Sequence, residues 1–171
     1  MEILEVLKKR HSIRRFKDKG IEEEKIKAIL EAANSAPSAG NLQARKIFLI
    51  KNNKKKQEFV EKALRQGFIA EAGIVLIFFA NPQRSASKYG QRGEKLYCIQ
   101  DATLSAAYAW LQAVESGLGA CWVGAFDDET VKKVLGVKED WQPIVILPIG
   151  YPDEKPHSTP RIHLNDLVHE V

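Results

Sequence analysis

Apolar positions recur along this chain in two rhythms, and their alternation predicts the elements. Residues 1–9 form a short amphipathic run. In residues 21–35, Ile26, Ile29, Leu30 and Ala33 recur at helical spacing. Glu22, Glu23 and Glu24 stand where a helix N-terminus favours acid, and Pro37 marks the end. Residues 46–51 read as a strand with apolar residues on both faces, hence buried on both sides. Residues 53–66 form a second amphipathic helix, capped by Asn52 or Asn53 and stopped at Gly67. Residues 74–80 are wholly apolar and predict the centre of a sheet. Residues 82–93 are polar and turn-rich, and read as a loop.

Residues 94–116 are expected to form the longest helix, lined by Ala102, Ala106, Ala107, Ala109 and Ala113, whose small side chains allow close packing. A strand is expected over residues 120–126. Asp127 or Asp128 then caps a helix that ends near Gly136, and residues 143–149 form the last apolar strand. Residues 152–160 hold three prolines and predict an extended arm leading to Arg161. Helices thus flank a mixed sheet, an α+β arrangement, and one domain over residues 1–171 is expected.

Composition narrows the class. Of the chain, 44% is hydrophobic and 28% charged, an ordinary globular balance. The apolar run at residues 74–80 is far too short to span a bilayer, and the first residues lack the pattern of a signal peptide. A cytoplasmic location, with no membrane partner, is the expectation. The net charge of +4 is mild and the charges are mixed, which argues against nucleic acid as a partner. Lys54, Lys55 and Lys56 read as a solvated face. Cys98, placed on a helix, and Cys121, placed on a strand, read as buried reduced thiols. His11, His157, His163 and His169 show no ligand spacing, so no metal is expected.

Candidate chemistry concentrates first in Arg10-His11-Ser12-Ile13-Arg14-Arg15-Phe16. Grouped guanidinium groups suit an anion, because each is planar, permanently charged and able to bond phosphate in a bidentate manner. In an extended segment Arg10, Ser12 and Arg14 would face the same way. One helix downstream lies Ala33-Asn34-Ser35-Ala36-Pro37-Ser38-Ala39-Gly40-Asn41-Leu42-Gln43. Later come Gly117-Leu118-Gly119-Ala120-Cys121-Trp122-Val123-Gly124 and Pro148-Ile149-Gly150-Tyr151-Pro152. In this order the segments resemble the nitroreductase family of flavoproteins nearly end to end.

The resemblance implies a three-layer α-β-α sandwich with a mostly antiparallel sheet, and a homodimer with active sites at the interface and exchanged arms. It implies flavin mononucleotide (FMN) as cofactor and NADH or NADPH as transient electron donor. Hydride would pass to flavin N5 and on to a nitroaromatic or quinone-type acceptor, by a ping-pong mechanism. No side chain is then needed as a catalytic nucleophile or acid, and the chain offers neither G-x-S-x-G nor H-E-x-x-H. The alternative is a flavin-binding carrier or sensor with little NAD(P)H turnover.

By the same resemblance the cofactor-binding residues are Arg10, Ser12 and Arg14 with His11 beside them, and Arg161 as the late phosphate-binding arginine. Arg14 or Arg10 serves alternatively at the pyrimidine edge. Asn41 faces the ring system, while Pro37, Ser38 and Ala39 reach the cofactor from the other subunit. Val123, Gly124 and Ala125 bring backbone to N5. Gln66 resembles a family glutamine near the ring, although a helix end explains it as well. The family's larger members carry an extra segment over the acceptor where this chain has only residues 82–93, so an open pocket is expected. Tyr89 and Arg92 are candidates to cover it.

Overall fold

The computed structural model describes residues 2–63 and 66–171. Helix α1 (Ile3–Lys9) is followed by the extended segment around Ser12, then α2 (Glu23–Ser35). Strand β1 (Arg45–Ile50), α3 (Asn53–Ala63), α4 (Phe68–Glu71) and β2 (Ile74–Ala80) come next. Helix α5 (Pro82–Arg92) and a π-helical stretch (Gly93–Tyr97) lead into α6 (Cys98–Glu115). Strand β3 (Gly119–Ala120), α7 (Asp128–Leu135), β4 (Gln142–Gly150) and α8 (Leu164–Leu167) complete the order.

The strands lie in the order β1-β2-β4-β3, and every named pair is antiparallel. A parallel contact joins the sheet at the single bridge between Ser12 and Ala120. Alternation along β2 builds the three layers. Ile74, Leu76 and Phe78 pack with Ile29 and Ala33 of α2 and Ala106, Ala109 and Ala113 of α6. Val75, Ile77 and Phe79 pack on the other face with Phe59, Ile69 and Val131 from α3, α4 and α7. All of β2 is buried, as its apolar run predicts.

Several expectations need correction. β1 is an edge strand, so only its end residues Arg45 and Ile50 are buried and Leu49 is exposed. Helix α3 is traced to Ala63, and its predicted extension at residues 64 and 65 lies outside the described residues. Asn52 is its cap, accepting from Lys55 N at 3.1 Å. Gly67 does not stop a helix in the left-handed region but opens α4 with ordinary helical angles.

Residues 82–93 are not a loop. Asn81 accepts from Arg84 N at 3.1 Å and Pro82 takes the first helical position, a start signal hidden by the polar composition that follows. Gly90, at φ 54°, kinks this helix before the π-helical stretch. The expected strand over residues 120–126 ends at Ala120. Beyond it only Val123 bridges to Ile146, so Cys121 follows a strand and does not lie in one. Lys56 does not share the solvated face. It is buried, donating to Ala72 O and, at 3.4 Å, Gly73 O. Burial pushes its ammonium below the ordinary value, opposed by Asp18.

Candidate active site

The arginine-rich segment is extended because both of its ends are tied. Ile13 N donates to Ala120 O at 2.9 Å, and Lys17 N donates to Tyr151 O at 2.9 Å. Ile13 and Phe16 point inward and are buried. Gly119 and Gly150 make room for them: a Cβ on Gly119 would stand 2.6 Å from Ile13 Cγ1, and one on Gly150 2.8 Å from Phe16 Cδ1.

Ser12 and Arg14 are brought together beside the buried Cys121 thiol. Burial pushes that thiol up, with the Arg14 charge opposing. Glu154 fixes the backbone here, accepting from Arg14 N at 2.5 Å and Arg15 N at 3.1 Å. Arg10 takes a different course. Its guanidinium lies 4.5 Å from the centre of the Trp110 ring. Burial, and secondarily the positive charge of Arg161, push it below its ordinary value. Arg161 is held by its own neighbourhood, donating to Thr159 O at 3.1 Å and Thr159 Oγ1 at 3.0 Å. Two guanidinium groups of like charge within each other's field suit an anion between them. His11 turns back instead, with Nδ1 3.0 Å from Lys9 O.

The loop between α2 and β1 is built around a residue that the sequence reading missed. Asp101 of α6 is buried and accepts from Ala39 N and Ala44 N, both at 3.0 Å. Ser38 Oγ accepts from Gln43 N at 2.9 Å. Gly40, Asn41 and Gln43 all adopt left-handed angles, with φ of 56°, 56° and 50°. Arg45 Nη2 clamps the far side through Asn34 O at 2.9 Å and Ala36 O at 3.0 Å. From α5, Arg84 Nε donates to Leu42 O. A Cβ on Gly40 would stand 2.4 Å from Tyr89 Oη. Tyr89 therefore reaches the loop, whereas Arg92 donates to Tyr97 Oη at 3.0 Å. Pro37 and Asn41 are left exposed.

A third group joins Gln66 to the stretch after β3. Gln66 Nε2 donates to Ala125 O at 3.5 Å. Val123 is locked to Ile146, donating at 3.0 Å and accepting at 2.9 Å. Gly124 and Ala125 then emerge exposed. A Cβ on Gly124 would meet only Trp122 Nε1 at 4.0 Å, so protein packing does not demand glycine there. A flat approach for a ligand is what its missing side chain provides.

These groups are not all brought together within one chain. Asp101, which holds the Ser38 loop, and Trp110, which carries Arg10, are nine residues apart on α6. That places them about 13 Å apart along the helix axis. Arg10 lies over Trp110 within the field of Arg161, Ser12 and Arg14 lie beside Cys121, and the Ser38 loop stands at the other end of α6, at Asp101. Asp101 carried a signal after all. It is the one acid on the helix face that also holds Ala102, Ala106, Ala109 and Ala113. Among the described residues, no helix is long and apolar enough to cross a membrane.

The profile of the Nitroreductase family matches residues 7–70 and 56–151. A protein named NADH dehydrogenase from Thermus thermophilus is 28% identical, over 94% of this chain and 91% of that one. A protein named putative NADH dehydrogenase/NAD(P)H nitroreductase from Methanothermobacter thermautotrophicus is also 28% identical, covering 96% of this chain and 87% of its own. Among solved structures, a nitroreductase family protein from Streptococcus pneumoniae superposes with a TM-score of 0.87 over 99% of this chain and all of its own (100%), at 22% identity, a likeness of fold. The NADPH:FMN oxidoreductase from Vibrio harveyi, solved with NAD+, gives a TM-score of 0.88 at 26% identity over 98% of this chain and 76% of that one. The extended arginine segment, the Ser38 loop and the exposed Gly124 stretch thus stand in a chain that belongs to the Nitroreductase family.

Proposed function

We propose that this protein is an FMN-dependent oxidoreductase that draws electrons from NADH or NADPH and works as a homodimer. The observation that carries this reading is the Arg10 guanidinium held 4.5 Å from the Trp110 ring centre and within the field of the Arg161 guanidinium, a pair of permanent cations suited to a phosphate group. Bound FMN would supply two-electron chemistry, passing hydride from the nicotinamide to a nitroaromatic or quinone-type acceptor in a ping-pong cycle.

The chain's own residues bind and orient. Arg10 and Arg161 neutralise the phosphate, and Ser12 and Arg14 extend that surface, fixed from behind by Glu154. Gly124 and Ala125 offer backbone free of bulky side chains, with Gln66 holding their carbonyl side. Pro37, Ser38, Ala39 and Asn41 complete the site from a second copy, because α6 keeps them away from Arg10 in the same chain. The dimer reading has further support. Ile3, Leu4 and Leu7 of α1 and Leu104 and Tyr108 of α6 are exposed large apolar residues. A cleft of about 600 Å³ between these helices is lined by Ile3, Val6, Leu7 and Leu111. The same reading makes residues 1–171 one domain and the protein cytoplasmic.

The deciding experiment is the visible spectrum of the purified protein, before and after anaerobic NADH, then NADPH. The expected result is a flavin spectrum that bleaches and returns on adding a quinone. A flavin spectrum that stays oxidised with both donors would leave a flavin carrier or sensor. A colourless protein that takes up no added FMN would end the flavoprotein reading.

A further inference from the structure

Helix α5 lays one face along the Ser38 loop. Residues 82–93 hold three cations, Arg84, Lys88 and Arg92, and no acid. Arg84 and Lys88 are one helical turn apart, so they share a face. Arg84 spends its Nε on Leu42 O. One turn on, Lys88 and Tyr89 reach Gly40, whose backbone is left-handed at φ 56°. A Cβ there would stand 2.8 Å from Lys88 Nζ and 2.4 Å from Tyr89 Oη, so the ammonium and the hydroxyl converge on one point of the loop.

Neither group is spent. Among the described residues Lys88 Nζ has no hydrogen bond and no ion pair, only the Tyr89 ring with its centre 5.3 Å away. Tyr89 Oη has no hydrogen-bond partner among them either. Both are open to solvent, since Lys88 is exposed and Tyr89 half-buried. Asp101, the acid beneath the loop, already accepts from Ala39 N and Ala44 N.

An aromatic wall adjoins this pair. Gly90 turns the chain back, and Gly93 lets the π-helical stretch close on α5, since a Cβ on it would stand 2.5 Å from Ser85 O. Tyr97 is thereby brought against Tyr89, with ring centres 5.1 Å apart and planes at 82°. Arg92 fixes the second ring, donating to Tyr97 Oη at 3.0 Å. Both rings are half-buried, and an edge-to-face pair still offers surface on which a further arene packs. The cation and the phenol hydroxyl beside it answer a carboxylate or sulfonate, which accepts charge-assisted hydrogen bonds.

We propose that Lys88, with Tyr89, selects an anionic aromatic acceptor: an arene carboxylate or sulfonate that also carries the reducible nitro or quinone group. Lys88 holds the anionic group and takes no part in the electron transfer. The inference rests on the oxidoreductase reading above and names the acceptor class of that site.

The matched probes are 4-nitrobenzoate and 4-nitrobenzamide, alike in shape and different in charge. The ratio of kcat/KM for the benzoate over the benzamide should fall about tenfold in Lys88→Ala, the worth of one charge-assisted hydrogen bond, and recover in Lys88→Arg. Because Lys88 is exposed, added salt should shrink the wild-type ratio as well. Isothermal titration of both probes into the purified protein with FMN present should give the same order of affinities without turnover. An unchanged ratio in Lys88→Ala, or a fall shared equally by both probes, would overturn the assignment. If neither nicotinamide bleaches the flavin, the oxidoreductase reading falls, and the titration alone decides whether Lys88 favours the anion.

Discussion

The loop from Ala36 to Arg45 and the arm that follows Pro152 are both irregular chain, yet they are built in opposite ways. The loop turns on three left-handed residues and is tied from four directions, by Asp101, Ser38, Arg45 and Arg84. The arm is tied only at its root. Phe16 bridges to Pro152, Asp153 N donates to Arg15 O at 2.9 Å, and Glu154 holds Arg14 and Arg15. From Lys155 onward every residue is exposed, among them Ile162, Leu164, Leu167 and Val168. A chain preorganises what it can pay for alone. An apolar stretch left in water marks what it expects from a partner.

The largest expected effect breaks the loop side of that contrast. Asp101→Ala removes a buried carboxylate with two backbone donors and strands Arg45 beside them. We expect a loss of about 3–5 kcal/mol in urea unfolding, together with weaker FMN uptake. Asp101→Asn should fall between, since an amide can accept from only one of the two amides. Wild-type stability in Asp101→Ala would mean that the loop is not held from α6. On the arm side, Leu164→Ser with Leu167→Ser should leave the unfolding midpoint of a dissociated chain unchanged. It should raise the dimer dissociation constant at least about a hundredfold in sedimentation, at roughly 1.5–3 kcal/mol per buried leucine. A doubly substituted protein that associates like wild type would free the arm of any interface role.

The contrast also explains what was legible in the sequence. Residues 74–80 and the helix bounded by Asp127 and Gly136 were readable because each is decided locally. The strand has an unbroken apolar run. The helix has a side chain accepting from Thr130 N at 2.8 Å and a left-handed glycine at φ 69°. Strand β1 looked buried because its sequence is apolar, but burial depends on strand order, which periodicity does not encode. Helix α5 was missed because no apolar stripe announces it; its start signal is a single Asn-Pro pair. The arginine segment and the Ser38 loop were recognisable by residue type. Asp101 and Glu154, which position them, come from 50 residues or more away in sequence, where only the folded chain joins them.

A smaller effect is expected at Arg14, which stands at the root of the arm and is exposed. Arg14→Ala should weaken FMN binding about 10- to 100-fold, the scale of a charged hydrogen bond. The unfolding midpoint of the apoprotein should stay near wild type, because the Glu154 bonds use backbone N–H groups that alanine keeps. Fluorescence titration of flavin decides it, and an unchanged affinity would remove Arg14 from the site.

The smallest effect concerns Tyr151, one residue before the root of the arm. Tyr151 Oη donates to Glu22 Oε2 at 2.6 Å and accepts from Lys25 Nζ at 2.9 Å, and Lys19 Nζ lies 4.0 Å from its ring centre. The Tyr151 hydroxyl is the main cause that lowers the Glu22 carboxyl to about 2, with Lys25 and Lys19 adding less. The folded state therefore prefers the charged carboxylate more than the unfolded chain does. This contribution is complete above the ordinary carboxylate range near 4.5 and is lost as pH falls through about 2. Tyr151→Phe should return the Glu22 titration towards its ordinary value when followed by NMR. Stability differences between Glu22→Gln and wild type should be flat above that range and shrink below it. Glu22 is exposed, so added salt should erase most of the difference. A Glu22 titration unmoved by Tyr151→Phe would show that the arm's root is held by its backbone bridges alone.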